Sequence, residues 1–273
     1  MEPSAPQQPA ATGGAAANRP GRLPDVNAIG LAAPFRWLGG AWGDMAKAPL
    51  PCLLYGAALG LFSYWLVRSL YESNAAFWVL ALTCGFVFVA PMLAMGLYEA
   101  GRMLEKGEKP TLPRMLFVGG AVRQDVAYLG LALLLIYLMW GRIAQLVYGL
   151  STYRLHRTVA DFIAFALNTG EGHNMLISGT IVGGIIAFFT YCLAVVSTPM
   201  LLDRNTNVFA AMATSFRAVT KNFIPMLLWA LIIVALVALS AATWFAGFVV
   251  IFPLLGLASW RAYRDLVAER GAA

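Results

Sequence analysis

Five uncharged runs divide the chain: Ala48 to Val67, Ser73 to Tyr98, Val126 to Gly141, Asn174 to Leu202 and Asn222 to Trp260. A helix needs about 20 apolar residues to cross hydrocarbon, and four of the runs suit single spans. None alternates apolar with polar positions as a barrel strand would. Backbone groups in lipid must be satisfied within the segment, so each run is predicted to be helical. The third run is short, and it reaches about Val147 if Arg142 and Gln145 snorkel to the interface. The last run would form a rod of ~58 Å at 1.5 Å per residue, almost twice the ~30 Å hydrocarbon layer, so it must fold back. Ser240 to Thr243 is the predicted turn. The pattern thus predicts six spans, near residues 50 to 68, 75 to 98, 126 to 147, 175 to 201, 224 to 241 and 244 to 261.

Outside the spans, apolar and charged residues interleave. Phe35, Trp37, Leu38, Trp42 and Met45 alternate with Arg36, Asp44 and Lys47, which predicts a short helix lying in the headgroup region before Pro49 and Pro51. Thr206 or Asn207 is positioned to cap a second such helix, with Phe209, Met212, Phe216 and Val219 as its apolar stripe and Arg217 and Lys221 toward water. A weaker example sets Val159, Phe162, Ile163 and Ala166 opposite His156, Arg157 and Asp161. Residues 1–33, rich in Ala, Pro and Gly, read as a disordered cytoplasmic tail and not as a signal peptide. Residues 34–270 read as a single six-helix membrane domain.

Composition agrees: 60% of residues are hydrophobic and 12% charged, about half the charged share of an ordinary soluble domain. Of 19 Lys and Arg, all but Arg68, Arg142, Arg154 and Arg157 fall on one side of the predicted spans. The positive-inside rule therefore places both termini in the cytoplasm. Anionic lipid accounts for the net charge of +6, and nucleic acid is not needed to explain it.

An internal repeat links the ends of the chain. Phe86, Val87, Pro91, Leu93, Ala100, Arg102 and Leu104 match Phe248, Val249, Pro253, Leu255, Ala262, Arg264 and Leu266 at a constant offset of 162, and Lys47 and Pro51 match Lys221 and Pro225 at 174. Pro199 extends the plan to the middle pair of spans. The fold expected is all-α: a polytopic membrane protein with six transmembrane helices as three hairpins and short amphipathic surface helices.

Three further stretches carry a family resemblance: Val196-Ser-Thr-Pro-Met-Leu-Leu-Asp-Arg204, Ala211-Met-Ala-Thr-Ser-Phe-Arg-Ala-Val-Thr-Lys-Asn222, and Phe252-Pro-Leu-Leu-Gly256 with Trp260-Arg-Ala-Tyr-Arg264. With Trp42-Gly-Asp44, Pro91 through Tyr98, Arg102, Glu105, Gly107 and Pro110, they resemble the bacterial membrane family catalogued as domain of unknown function 2189. The resemblance implies a multi-pass protein of the bacterial inner membrane. Members often carry the label of a cytochrome c oxidase subunit I. Family histidines flanking the last-helix tryptophan are replaced here by Leu257 and Arg261, which counts against a haem reading. A haem-copper subunit also needs about six histidine ligands within the membrane, and this chain has two, His156 and His173, both in a predicted outer connection.

No phosphate loop, HExxH or mid-membrane carboxylate pair is present in the sequence. Neither a cofactor nor a metal is expected, and Cys52, Cys84 and Cys192 read as core residues. Gly56 with Gly60 and Gly179 with Gly183 are GxxxG pairs, expected to pack helices. Glu99, Arg102, Asp203, Arg204 and Arg264 gather at cytoplasmic ends, together with Asp125 and Arg261, as an anchoring rim. Pro91, Pro199 and Pro253 each free the carbonyl four residues earlier, on Val87, Val195 and Val249. These carbonyls, joined by Ser197 and Thr198, form a candidate polar locus if the hairpins are equivalent. The expected function is non-catalytic: an accessory, assembly or organising role in a membrane complex, with lipid and other membrane proteins as partners. The alternative is a small transporter or channel sited at the proline-broken cytoplasmic ends.

Overall fold

The computed structural model describes residues 23–73, 89–119, 123–152 and 158–267. Every regular element among them is helical, apart from one isolated bridge between Val26 and Val267. Four helical segments are long and apolar enough to cross a membrane. They are α2 (Pro49–Glu72), α5 (Gln124–Ser151), α7 (Gly170–Ala194) continued by α8 (Ser197–Asp203), and α10 (Phe223–Ala242). Most of the second predicted span lies outside the described residues. Its end emerges as residues 89–94 and then α3 (Met95–Glu105). The last helix, α11 (Phe248–Leu266), carries Arg261, Arg264 and Asp265 in its final turns and is largely buried. Shorter helices complete the set: α1 (Ala33–Lys47), α4 (Leu112–Leu116), α6 (Val159–Asn168) and α9 (Val208–Lys221).

Helix α11 is the hub, touching α1, α2, α3, α8 and α10. Glycine makes these approaches close. A Cβ on Gly56 of α2 would lie 2.5 Å from the Val249 carbonyl oxygen and 2.6 Å from that of Phe248, and one on Gly60 would lie 2.9 Å from the Phe245 oxygen. α2 and α11 therefore run antiparallel with backbones almost in contact, as a GxxxG face permits. On the other side of α11, Gly256 lies against Leu97 and Trp260 against Gly101, so α3 runs parallel to it. The second pair joins α7 to α5: Gly183 lies on the Trp140 ring, and Gly179 is near Val147. Both GxxxG pairs thus pack helices within the chain. The ends of α3, α8 and α11 touch one another pairwise.

Several boundaries and faces differ from the expectation. Helix α10 runs through Ser240 to Ala242, so the turn falls later, at 243–247. Trp244 and Phe245 adopt positive φ there, and the Thr243 hydroxyl accepts from the Gly247 amide. Helix α5 reaches Ser151, beyond the expected Val147. Residues 23–32, expected to be part of a disordered tail, are tied down. The Asn27 amide donates to the Leu266 carbonyl, Lys221 donates to that of Val26, and Asn222 accepts from the Ile29 amide while donating to the Asn27 carbonyl. Residues 1–22 lie outside the described set.

The surface helices also depart from prediction in which faces they bury. In α9 the cap is Asn207, whose side chain accepts from the Ala210 amide. Its protein-facing side is Val208, Ala211, Ser215, Ala218 and Val219; of the expected stripe, Phe209 and Phe216 point outward, 79% and 43% exposed, as a helix lying in the membrane surface requires, and Val219 alone departs by turning inward. In α1, Trp37, Ala41 and Met45 are buried as apolar residues should be, but Asp44 is buried with them and Trp42 is exposed. In α6, Phe165 replaces Ile163 on the inner face, which packs on Met175 and Tyr148.

Candidate functional site

Most of the charged side chains that the sequence assigns to a cytoplasmic rim engage in clusters of ion pairs at the ends of α1, α3, α8 and α11. α1, α8 and α11 bring charges at their C-terminal ends, and α3 brings Glu99 from its middle with Arg102 and Glu105 at its end. Glu99 is buried and pairs with Arg102 one turn on, 2.6 Å away, and with Arg114 of α4 at 3.5 Å. Arg264 bridges Glu105 of α3 at 3.3 Å and Asp203 of α8 at 3.6 Å. Tyr263 stands between the members of a further pair: its hydroxyl donates to Asp203 at 2.6 Å and accepts from the buried Arg204 Nε at 2.8 Å. Arg204 also lies over the Tyr263 ring, 5.8 Å from its centroid.

Two participants make contacts that the sequence did not suggest, and Arg123 was not singled out at all. Arg123, just before α5, donates to the Leu201 and Arg204 carbonyls and to the Asn205 side chain, capping the C-terminal end of α8. Asp125, read only as a rim charge, accepts from the Val208 amide at the start of α9. Nothing in the local pattern marks either contact, because each partner is about 80 residues away. Their only sequence signal is a charged residue at a helix boundary.

Asp44 is the most strongly held carboxylate. It accepts from Arg261 at 2.6 Å and pairs with Lys47 at 3.1 Å. Burial pushes its pKa up, but the hydrogen bonds and charges of Arg261 and Lys47 outweigh that effect and hold it below the ordinary 3.8. A depressed folded pKa means that the ionised form stabilises the fold. This contribution is full above 3.8 and is lost as pH falls through the lower folded value. Asp44→Asn should therefore cost about 2 kcal/mol at neutral pH, because Arg261 loses a charged acceptor. Unfolding in mixed SDS and mild-detergent micelles across an acid series should show the mutant and wild type converging at the acid end. A constant gap at every pH would show that Asp44 acts through packing alone.

The candidate proline locus is described only in part. The carbonyl of Val249 faces Gly56 of α2. Ser197 and Thr198 of α8 turn their hydroxyls back across the break onto the carbonyls of Leu193 and Ala194 at the end of α7. The Val196 amide, in the break between α7 and α8, donates to Ser215 of α9. The hydrogen bond from Tyr263 to Asp203 ties α11 to α8, with Pro199 four residues before Asp203 and Pro253 ten residues before Tyr263. Leu97 is level with Gly256, so Pro91 is level with about residue 250. Val87 lies outside the described residues.

Of the remaining candidates, Cys52 and Cys192 are free and buried. Cys84 and His156 lie outside the described residues. His173 hydrogen-bonds through Nε2 to the Leu167 carbonyl at 2.8 Å. Among the described residues no three His, Cys, Asp or Glu side chains converge as a metal site.

Residues 79–203 match the family model described as "Predicted integral membrane protein (DUF2189)". No curated protein and no solved structure matches the chain.

Proposed function

We propose that this integral membrane protein of the DUF2189 type is a non-catalytic organiser, which holds or assembles a complex in the bacterial inner membrane. The observation that carries the reading is the use made of the charged rim. Asp44, Glu99, Glu105 and Asp203 each engage an arginine, and most of these pairs join different helices. Such pairing rigidifies one end of the bundle and supplies a fixed platform. The transporter alternative draws on the internal repeat and the proline-broken helices; of its three candidate carbonyls, that of Val249 packs against Gly56 of α2.

Six spans in three hairpins remain our reading of the topology. The parallel course of α3 and α11 and the antiparallel course of α2 and α11 support it. Positive charge bias supports cytoplasmic termini. In intact spheroplasts an impermeant thiol reagent should label His173→Cys and spare Lys109→Cys. The reverse pattern would invert the topology.

The role itself is tested by mild-detergent purification from the native host, with mass spectrometry of what co-purifies and an absorption spectrum for haem. A stoichiometric membrane complex without haem absorption is expected. Substrate-dependent flux through proteoliposomes containing this protein alone would overturn the organiser reading.

A further inference from the structure

The outward edge of α9 differs from both its buried face and its polar edge. Phe209, Phe216 and Phe223 recur every seven residues, all exposed, and the third opens the span α10. Ile224, Leu231 and Val234 continue this exposed apolar surface along α10. The stripe therefore leads from the spanning surface onto the cytoplasmic-side helix without a polar break, which places α9 along the hydrocarbon boundary. Arg217 is exposed beside Phe216, six residues before the span begins. It differs from Arg102, Arg114, Arg261 and Arg264, which all engage carboxylates. Among the described residues no carboxylate lies within ion-pair distance of Arg217. Asp125, which packs at the start of α9, is spent on the Val208 amide, and Lys221, one turn on, is held by the Val26 carbonyl.

We infer that the Phe209–Phe216–Arg217 edge of α9 is a docking surface for an anionic phospholipid of the cytoplasmic leaflet, with the acyl chain along the phenylalanines and the headgroup phosphate on Arg217. The guanidinium supplies the forked donors that phosphate oxygens accept. The apolar stripe fixes the depth at which the headgroup meets it. Charge complementarity selects the occupant: an arginine that no described carboxylate engages, on a predicted cytoplasmic rim, faces the leaflet whose lipids are negative. The inference is independent of the organiser role.

The test uses the full-length protein in phosphatidylcholine micelles titrated with phosphatidylglycerol, followed by native mass spectrometry and thermal stabilisation. Wild type should retain phosphatidylglycerol and gain stability from it. Arg217→Gln should bind about fivefold more weakly, the effect of one interfacial charge worth about 1 kcal/mol. Arg217→Lys should keep most of the binding, and Phe216→Ser should weaken it without removing the charge. All three variants should match wild type in phosphatidylcholine alone, which separates lipid binding from folding. Unchanged phosphatidylglycerol retention by Arg217→Gln, or equal stabilisation by inorganic phosphate, would overturn the proposal.

Discussion

Gly56→Leu is expected to abolish accumulation of folded protein, and Gly56→Ala to cost about 2–3 kcal/mol. The new Cβ would lie 2.5 Å from the Val249 oxygen and 2.6 Å from the Phe248 oxygen, with the Pro253 ring at 2.8 Å. Two of these three neighbours are backbone atoms of the hub helix, and the third is a ring with little freedom. Relief would require α2 and α11 to move apart, breaking their contact along its length. Gly183 offers a graded comparison. Its Cβ would meet the tip of the Trp140 ring at 2.8 Å, and that side chain can shift, so Gly183→Ala should cost less. The adjacent Gly184 faces open space. Gly184→Ala should be neutral or slightly stabilising, by up to about 1 kcal/mol from helix propensity. The order is read from folded yield and from SDS-driven unfolding. Equal effects at Gly56 and Gly184 would show that α2 and α11 are not in backbone contact.

The same glycines show what was legible. Spans could be read because charge is excluded from hydrocarbon, and the GxxxG spacing marked the close faces of α2 and α7. In helix α9 the stripe was legible in part: Phe209 and Phe216 are exposed as on a membrane-surface helix, whereas Val219 turns into the protein. In water the large apolar stripe turns inward, but beside lipid Phe209 and Phe216 gain nothing by turning in, and Ala211, Ser215 and Ala218 permit closer packing. Asp44 looked like a water-facing residue because its partner, Arg261, follows 217 positions later. Residues 23–32 carry no periodicity, and their order comes from Asn27, which donates its backbone amide to the Leu266 carbonyl and its side chain to that of Asp265, and from Asn222. The proline argument reached further than an offset can carry. A constant sequence offset relates Pro91 to Pro253, but it does not place Pro199 at their depth.

Removing the side chain of Arg204 is expected to cost about 3 kcal/mol, more than loss of any other single rim cation. Arg204 is 8% exposed, whereas the side chain of Arg261 is 39% exposed and that of Arg114 is 52% exposed, so water can replace what those two lose. Arg204→Ala leaves the Tyr263 hydroxyl without its donor and withdraws positive charge from Asp203, whose remaining cation is Arg264 at 3.6 Å. Arg204→Lys should recover little. Only the guanidinium fork can reach the Tyr263 hydroxyl through Nε and the Val267 carbonyl through Nη2 together. Tyr263→Phe removes the intermediary without removing a charge and should cost about 1–2 kcal/mol. The two changes act on one chain of contacts from Arg204 through Tyr263 to Asp203, so their costs should not add. A double-mutant cycle on unfolding in SDS-containing micelles measures this directly. A double mutant whose loss equals the sum of the single losses would mean that the tyrosine does not couple the two charges, and that α8 and α11 are held together by packing around it.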